Sequence, residues 1–203
     1  MVKLLEQYKN MWQFIKENIL KISLIMFVIL IITQIVTYIV CINNSEIITS
    51  FIKELIDSLG DNLGKKGVDL LLFFWINNTR ASLIALLLGI IPFLFLPVFS
   101  LIFNGISIGI VLGYSSVKGL SAIQMFLLGI LPHGIFEITA FILSVSLGIF
   151  LCWSIIKDKG EKGKLKNIVI NIFKIFVMIV IPLILIAGVV ETYITPVLMN
   201  LVK

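Results

Sequence analysis

Charged residues are scarce in this sequence, and their scarcity excludes a soluble domain. Of the 203 residues, 13% are charged and 60% are hydrophobic. A soluble domain carries about 25% charged residues, which keep its surface in water. We therefore expect an all-α fold, a polytopic transmembrane helical bundle that forms one membrane domain.

Cysteine and histidine are also scarce, and several kinds of site are excluded as a result. Cys41 and Cys152 fall at the ends of different apolar runs, which the topology below places on opposite sides of the membrane. A disulfide between them is not expected, and they do not have the spacing of zinc ligands. The sequence has no glycine-rich nucleotide loop and no GxSxG motif. These absences argue against an enzyme without excluding an unfamiliar one.

The net charge of +5 does not indicate a nucleic-acid partner. The lysines flank apolar segments and do not form a soluble basic face with interleaved aromatic residues. With five spans, ten of the 16 basic residues lie on the side of the N-terminus. The positive-inside rule then predicts a multi-pass cell-membrane protein with a cytoplasmic N-terminus and an outer C-terminus.

Long apolar runs divide the sequence into about five spans, because a span takes roughly 20 residues. The predicted spans cover residues 22–42, 80–98, 101–117, 133–153 and 175–198. Residues 121–131 are apolar but too few to cross the membrane alone. They form either a re-entrant half-helix that ends at Pro132 or the first part of one long bent helix.

Two further segments have the pattern of amphipathic helices. Residues 1–21 alternate apolar and lysine-rich faces, which predicts a surface helix ahead of a single transmembrane domain at 22–203. Residues 45–59 predict a second amphipathic helix, outside the bilayer. We expect this outer helix to contact protein partners.

Three ionisable residues lie inside the apolar runs: His133, Glu137 and Glu191. A charged carboxylate at such depth costs about 2.5–3.5 kcal/mol, so these residues are expected to be functional or paired. His133 and Glu137 are four residues apart and share one helical face. Glu137 would lie roughly 9 Å below the outer start of its helix and Glu191 roughly 10 Å below the outer end of the last span. We therefore expect the three side chains to meet.

The sequence leaves three interpretations of this cluster open. One imidazole and two carboxylates suit a divalent metal, zinc above all. If the protein is an enzyme, Glu137 would be the general base and His133 would bind zinc or stabilise an oxyanion. In the third interpretation the groups form a structural network in which Arg80, at the start of the second span, also takes part.

Small and polar residues in the third span have a separate interpretation. Gly105, Gly109 and Gly113 recur every four residues, which predicts a surface where another helix packs closely. Such a surface and the outer helix make a homodimer plausible. Asn104 is expected toward the inner side, outside the cluster, where it would form an interhelical hydrogen bond.

Several of these motifs together resemble one family. The segments "LLGILPHGIFEITAFILS", "NGISIG", the "NN" before the second span and "AGVVETYITP" are similar to the stage II sporulation protein M family. The likeness runs from about Asn77 to Pro196, and PHGxxE is its most specific element. The family pattern marks these positions: Asn78, Asn104, Gly105, Gly109, Pro132, His133, Gly134, Glu137 and Glu191.

The resemblance implies a five-span protein that anchors and organises peptidoglycan-degrading enzymes during engulfment and is not itself the enzyme. We therefore expect a membrane scaffold with protein partners, and a divalent metal in the His/Glu cluster stays one of the three interpretations given above. The alternatives are an intramembrane metal- or glutamate-dependent hydrolase and a permease for a small solute.

Overall fold

The computed structural model describes residues 2–46, 48–50, 52, 64, 66–157 and 163–202. Within these ranges, five helices are long and apolar enough to cross a membrane, and we number them span 1 to span 5. They cover Leu5–Asn43, Gly67–Ile90, Pro97–Val117, Ala122–Ile156 and Lys164–Met199. The predicted all-α membrane bundle with five spans is confirmed.

Most of the spans consist of several helical segments. The α-helices are α1 (Val2–Phe14), α2 (Leu20–Asn43), α3 (Gly67–Leu87), α4 (Pro97–Val117), α5 (Ala122–Gln124), α6 (Leu131–Ile156), α7 (Lys164–Ile175), α8 (Ile181–Val189) and α9 (Thr195–Met199). π turns join them inside the long helices at Ile15–Ile19, Met125–Ile130, Phe176–Val180 and Val190–Ile194, and a 3-10 turn, Leu88–Ile90, ends span 2.

Three of the π turns end two residues before a proline. Pro132, Pro182 and Pro196 each stand at the start of the α-helix that follows such a turn. A proline has no N–H, and its ring collides with the carbonyl four residues earlier in a regular α-helix. The wider π turn removes that conflict and lets the helix continue. The spans therefore pass through their prolines without breaking.

Span 4 shows the consequence most clearly. Residues 122–156 form one continuous helix, so the half-helix alternative is excluded and the long helix is the correct one. Glu137 is the sixteenth residue of this helix and lies about 22 Å along it at 1.5 Å per residue. The cluster is thus near the middle of span 4, deeper than the sequence predicted.

The boundaries of span 2 differ from the prediction. This helix begins at Gly67 and ends at Ile90, whereas the sequence predicted residues 80–98. The prediction took Asn77 and Arg80 as the opening of the span, but these residues lie within α3. The chain then turns at residues 91–96, where Phe93 and Phe95 adopt positive φ angles of 71° and 44°.

The N-terminal segment is not separate from the bundle. Residues 5–43 form one helix, and Phe14 packs edge-on against Phe150 of span 4, with ring centroids 5.6 Å apart. Met11 is buried in the same apolar cluster as Ile175 of span 5. Met11 and Phe14 of this helix therefore pack on protein, whereas Trp12 is 56% exposed.

Most of the predicted outer helix, 45–59, lies outside the described residues. Ile48 and Ile52, which are described, are buried in a cluster with Cys41, and Tyr114 packs against that cluster. These two residues face the bundle itself. The expectation that this helix contacts protein partners stays a prediction.

Span 4 is the central helix of the bundle. Its residues 140–148 are all buried. A Cβ added at Gly148 would lie 2.8 Å from the backbone oxygen of Ala85, so spans 2 and 4 are in backbone contact. The glycine stripe of span 3 packs on span 1, where a Cβ at Gly109 would lie 2.6 Å from Thr37 Cβ. The predicted packing surface is thus used inside the chain.

Candidate functional site

The structure brings His133, Glu137 and Glu191 together. Nε2 of His133 lies 4.0 Å from Oε2 of Glu137 and 4.0 Å from Oε1 of Glu191. One ligand atom from each residue lies within 4.8 Å of the other two. The cluster therefore joins span 4 to span 5 through three groups that can all bind a cation.

Local structure explains why these side chains converge. His133 and Glu137 occupy successive turns of α6, one residue after Pro132 and one turn beyond. Glu191 belongs to the π turn Val190–Ile194, which precedes Pro196. π turns inside α-helices occur often at functional sites because they redirect a side chain.

The other ring nitrogen of His133 also has a hydrogen-bond partner. Its Nδ1 lies 3.2 Å from Oγ1 of Thr195, a buried residue at the start of α9. If Nδ1 carries the proton and donates it to Thr195, Nε2 presents its lone pair to the carboxylates. Metal-binding histidines are commonly fixed in this way through the ring nitrogen that does not bind the metal.

One carboxylate oxygen of Glu191 requires a hydrogen bond that no described residue supplies. Among the described residues, Oε2 of Glu191 is buried and has no hydrogen-bond partner, and the same is true of Oγ1 of Thr192. Buried polar atoms are nearly always satisfied by protein, water or an ion. The orphan oxygen beside two other potential ligands fits the binding of a cation.

The cluster is partly open. The side chains of His133, Glu137 and Glu191 are 14%, 25% and 20% exposed. They face a pocket of about 340 Å³, whose opposite wall includes Asn104 and Ser107 of span 3. The three side chains therefore border a space large enough for a small molecule.

The position of Asn104 corrects the sequence prediction. It was expected toward the inner side and outside the cluster, but it lines the same pocket as His133. The error follows from the depth of Glu137, which is near mid-span because the fourth helix begins at Ala122. The prediction missed Ser107, which follows three residues after Asn104 and shares its helical face.

The remaining predicted residues lie elsewhere or around the cluster. Arg80 is exposed and lines a different pocket, with Asp69 and Asn77. Asn78 is buried, and its Oδ1 accepts a hydrogen bond from the Asn77 side chain at 3.3 Å. The structure therefore gives Arg80 no place in the network with the carboxylates. The small residues have packing roles or border the cluster: Gly105 and Gly109 face span 1, Gly134 lines the pocket, and Pro132 precedes His133.

The geometry suits a cation with an open coordination position. Zinc bound at about 2.0–2.2 Å by three ligands needs ligand atoms about 3.3–3.6 Å apart. The observed separations reach that range by side-chain movements of about 1 Å, which rotation of the carboxylates can supply. Three protein ligands leave the fourth position of a tetrahedral ion free, and here it would face the pocket.

Comparison with known proteins agrees with the motifs. The profile of the stage II sporulation protein M family matches residues 23–196. An uncharacterized protein of Methanocaldococcus jannaschii is 32% identical over 124 residues, which cover 60% of this chain and 68% of that protein. No solved structure matches the chain significantly. The matched region covers parts or all of each of the five spans and includes the three residues of the cluster, and the chain therefore belongs to the stage II sporulation protein M family.

Proposed function

We propose that this protein is an integral membrane scaffold that organises cell-envelope proteins, and that its His133–Glu137–Glu191 site binds a divalent cation. The observation that carries the cation site is the convergence of three ligands beside the orphan oxygen of Glu191. Family membership and the short connections between the spans support the scaffold.

The lengths of the connections support a scaffold. Spans 2 and 3 are joined by residues 91–96, spans 3 and 4 by 118–121, and spans 4 and 5 by 157–163. The longest connection is 44–66. None of these segments is long enough to form a separate catalytic domain, so partners bind to the membrane helices or to short connections.

The cation has a structural role in this proposal. It links the middle of span 4 to the π turn of span 5, and span 4 is the helix on which the others pack. A ligand that binds only the folded state stabilises that state in proportion to its concentration. Binding therefore holds the surface that partners recognise in one arrangement.

Crosslinking in native membranes followed by protein identification tests the scaffold. We expect wild-type protein to retain proteins of envelope remodelling, and His133→Ala to retain fewer because span 5 is no longer tied to span 4. Glu17→Gln is a matched control, since Glu17 is exposed and accepts a hydrogen bond from Gln13 far from the cluster. Envelope proteins captured equally by all three would contradict a role for the cluster in the scaffold.

An intramembrane hydrolase is the second candidate, and the pocket beside Glu137 favours it. In that case Glu137 would activate a water on the cation. The two proposals differ in the behaviour of Glu137→Gln. A hydrolase loses turnover while partners remain bound, whereas a scaffold shows no turnover in any variant.

A homodimer stays a prediction, but the glycine stripe of span 3 is no longer its proposed contact surface. The glycine stripe is covered by span 1 and is not available to a second copy. The outer faces of the spans carry many exposed apolar side chains that lipid or a partner must cover.

A further inference from the structure

The connection between spans 2 and 3 is apolar throughout. Its residues, 91–96, read "IPFLFL", and no charged residue occurs between Arg80 and Lys118. The other three connections contain charged residues: 44–66, 118–121 and 157–163. Segments that leave the membrane carry polar or charged side chains, and lysine is in excess on the cytoplasmic side. The composition of 91–96 therefore favours a turn that stays at the membrane.

Contacts with span 4 give the depth of this turn. The backbone oxygen of Ile91 lies 3.7 Å from Sγ of Cys152, whose thiol donates to it. A Cβ added at Gly148 would lie 2.8 Å from the backbone oxygen of Ala85 in span 2 and 3.0 Å from Cγ of Pro97 in span 3. Both arms of this hairpin therefore meet span 4 at Gly148, and the turn between them begins beside Cys152.

Span 4 also shows where the lipid headgroups begin. Its helix ends at Ile156, and Nζ of Lys157 lies 4.4 Å from the centre of the Trp153 ring. Tryptophan is enriched at the boundary between hydrocarbon and headgroups, and lysine near a helix end extends its ammonium to that level. Cys152 lies five residues before Lys157, which is about 7.5 Å along the helix axis. The turn therefore begins on the hydrocarbon side of the headgroups, in the leaflet on the side of the N-terminus, where even-numbered spans end.

The tip of the turn has large apolar side chains that the rest of the chain does not cover. Phe93 is 73% exposed and Leu94 is 59% exposed. Apolar side chains beside the hydrocarbon gain free energy when they enter it, because their surface is removed from water. Acyl chains are the surroundings that this depth offers to both side chains.

The backbone of the turn does not favour phenylalanine. Phe93 and Phe95 have φ angles of 71° and 44°, in the left-handed region that glycine and asparagine adopt most readily. Turns that face water usually have one of those two residues at such positions. A bulky residue persists there when contacts of its side chain compensate for the strain. Since Phe93 is exposed, the compensating contact for its ring lies outside this chain.

We propose that residues 91–96 insert into the membrane, with Phe93 and Leu94 among the first segments of the acyl chains on the N-terminal side. Spans 2 and 3 then form a helical hairpin whose turn does not emerge as a loop in water. Water at the headgroup boundary still reaches the backbone groups of the turn, which the middle of the bilayer would leave unsatisfied. The lipid surface holds the hairpin against span 4, and this role depends on neither the cation site nor the scaffold.

Fluorescence quenching tests the position of the tip. Bimane is attached to Leu94→Cys in a variant with Cys41→Ser and Cys152→Ser, and serine at 152 keeps a donor for the Ile91 carbonyl. The protein is reconstituted into phosphatidylcholine vesicles and exposed to one of two quenchers. One is a lipid with a nitroxide near the top of its acyl chain, and the other is iodide in the water on both sides. We expect the nitroxide lipid to quench the label strongly and iodide to quench it weakly.

Two other labelled positions serve as controls. Phe103→Cys, at a side chain of span 3 that is 69% exposed, should be quenched by the nitroxide lipid, and Lys118→Cys, in the connection after span 3, by iodide. A tip label that behaves like Lys118→Cys would place the turn in water and overturn the proposal. A tip label that neither reagent quenches would mean that a second copy covers the turn, and this result would also overturn the proposal.

Phe93→Asn gives a second test, in which the sign of the effect decides. Asparagine tolerates the positive φ angle better than phenylalanine, but its polar side chain suits a turn in water and not one among acyl chains. We expect a lower melting temperature in phosphatidylcholine nanodiscs, whereas Leu120→Asn, in the connection that contains Lys118, should change it little. A melting temperature that stays equal or rises for Phe93→Asn would show that the ring has no favourable contact with lipid.

Discussion

At the scale of single residues, the site depends on how His133 is held. Thr195 binds Nδ1 while Nε2 faces Glu137 and Glu191 at 4.0 Å each. The cost of buried ionisable groups in a membrane is acceptable when they meet one another and a cation at the same depth. No described residue bonds the buried Oε2 of Glu191, and this observation supports the proposed cation.

Thr195→Val tests whether Thr195 orients the imidazole ring of His133. Valine has nearly the shape of threonine but cannot form the hydrogen bond with Nδ1, so the ring loses its fixed orientation. We expect cation affinity to fall about 10- to 100-fold with the fold retained, measured by titration of the metal-free protein with zinc. Thr139→Val is the control, because that hydroxyl bonds only Ile135 of its own helix. Equal affinities in both variants would show that Thr195 does not orient the ligand.

At the scale of helices, close backbone contact decides which spans pair. Span 3 approaches span 1 through its glycine stripe, and span 2 approaches span 4 at Gly89 and Gly148. Lipid-facing helices gain little from the hydrophobic effect when they associate, so shape and close contact determine the pairing. Span 4 therefore lies at the centre, where its helix positions the cluster.

Gly109→Ala tests this packing. The added Cβ would lie 2.6 Å from Thr37 Cβ and 2.8 Å from the backbone oxygen of Gln34, and the backbone cannot move away without separating the helices. We expect a loss of about 1–3 kcal/mol in the free energy of unfolding, measured as a lower melting temperature in detergent. Phe103→Leu, at a side chain that is 69% exposed, should have little effect. An unchanged melting temperature for Gly109→Ala would mean that spans 1 and 3 are not packed in this way.

The sequence predicted helix number well and helix boundaries poorly. Five apolar runs were clear, because hydropathy over about 20 residues is a strong signal. The prediction began span 2 too late because Asn77 and Arg80 are polar. A helix can hold such residues when they face other helices or pockets. Pro132 suggested a break, and periodicity alone does not reveal the π turn that accommodates it. Because the fourth helix was predicted to start at the proline, Glu137 was placed too close to the outer side, and Asn104 was therefore predicted at a different depth from the cluster.

At the scale of the whole molecule, the two ends of spans 4 and 5 have different chemistry. One end follows the His/Glu cluster, and the other carries most of the basic residues. Five spans place the termini on opposite sides of the membrane. The positive-inside rule predicts that the lysine-rich end is cytoplasmic.

Single cysteines test this orientation in a variant whose native Cys41 and Cys152 are replaced by serine. Lys118→Cys lies after span 3, and Lys164→Cys begins span 5 on the other side. We expect an impermeant maleimide to label Lys118→Cys in intact cells and Lys164→Cys only after permeabilisation. The reverse pattern would invert the topology and place the lysine-rich end outside.

The central claim is the cation site, and elemental analysis by mass spectrometry tests it most directly. The protein would be purified without chelator as wild type, His133→Ala, Glu137→Gln and the control Glu17→Gln. We predict a near-stoichiometric divalent cation, zinc foremost, in the wild type and the control, and little in the two site variants. A wild-type protein that holds no metal, even after zinc is supplied, would contradict the account and leave the cluster as a hydrogen-bonded network.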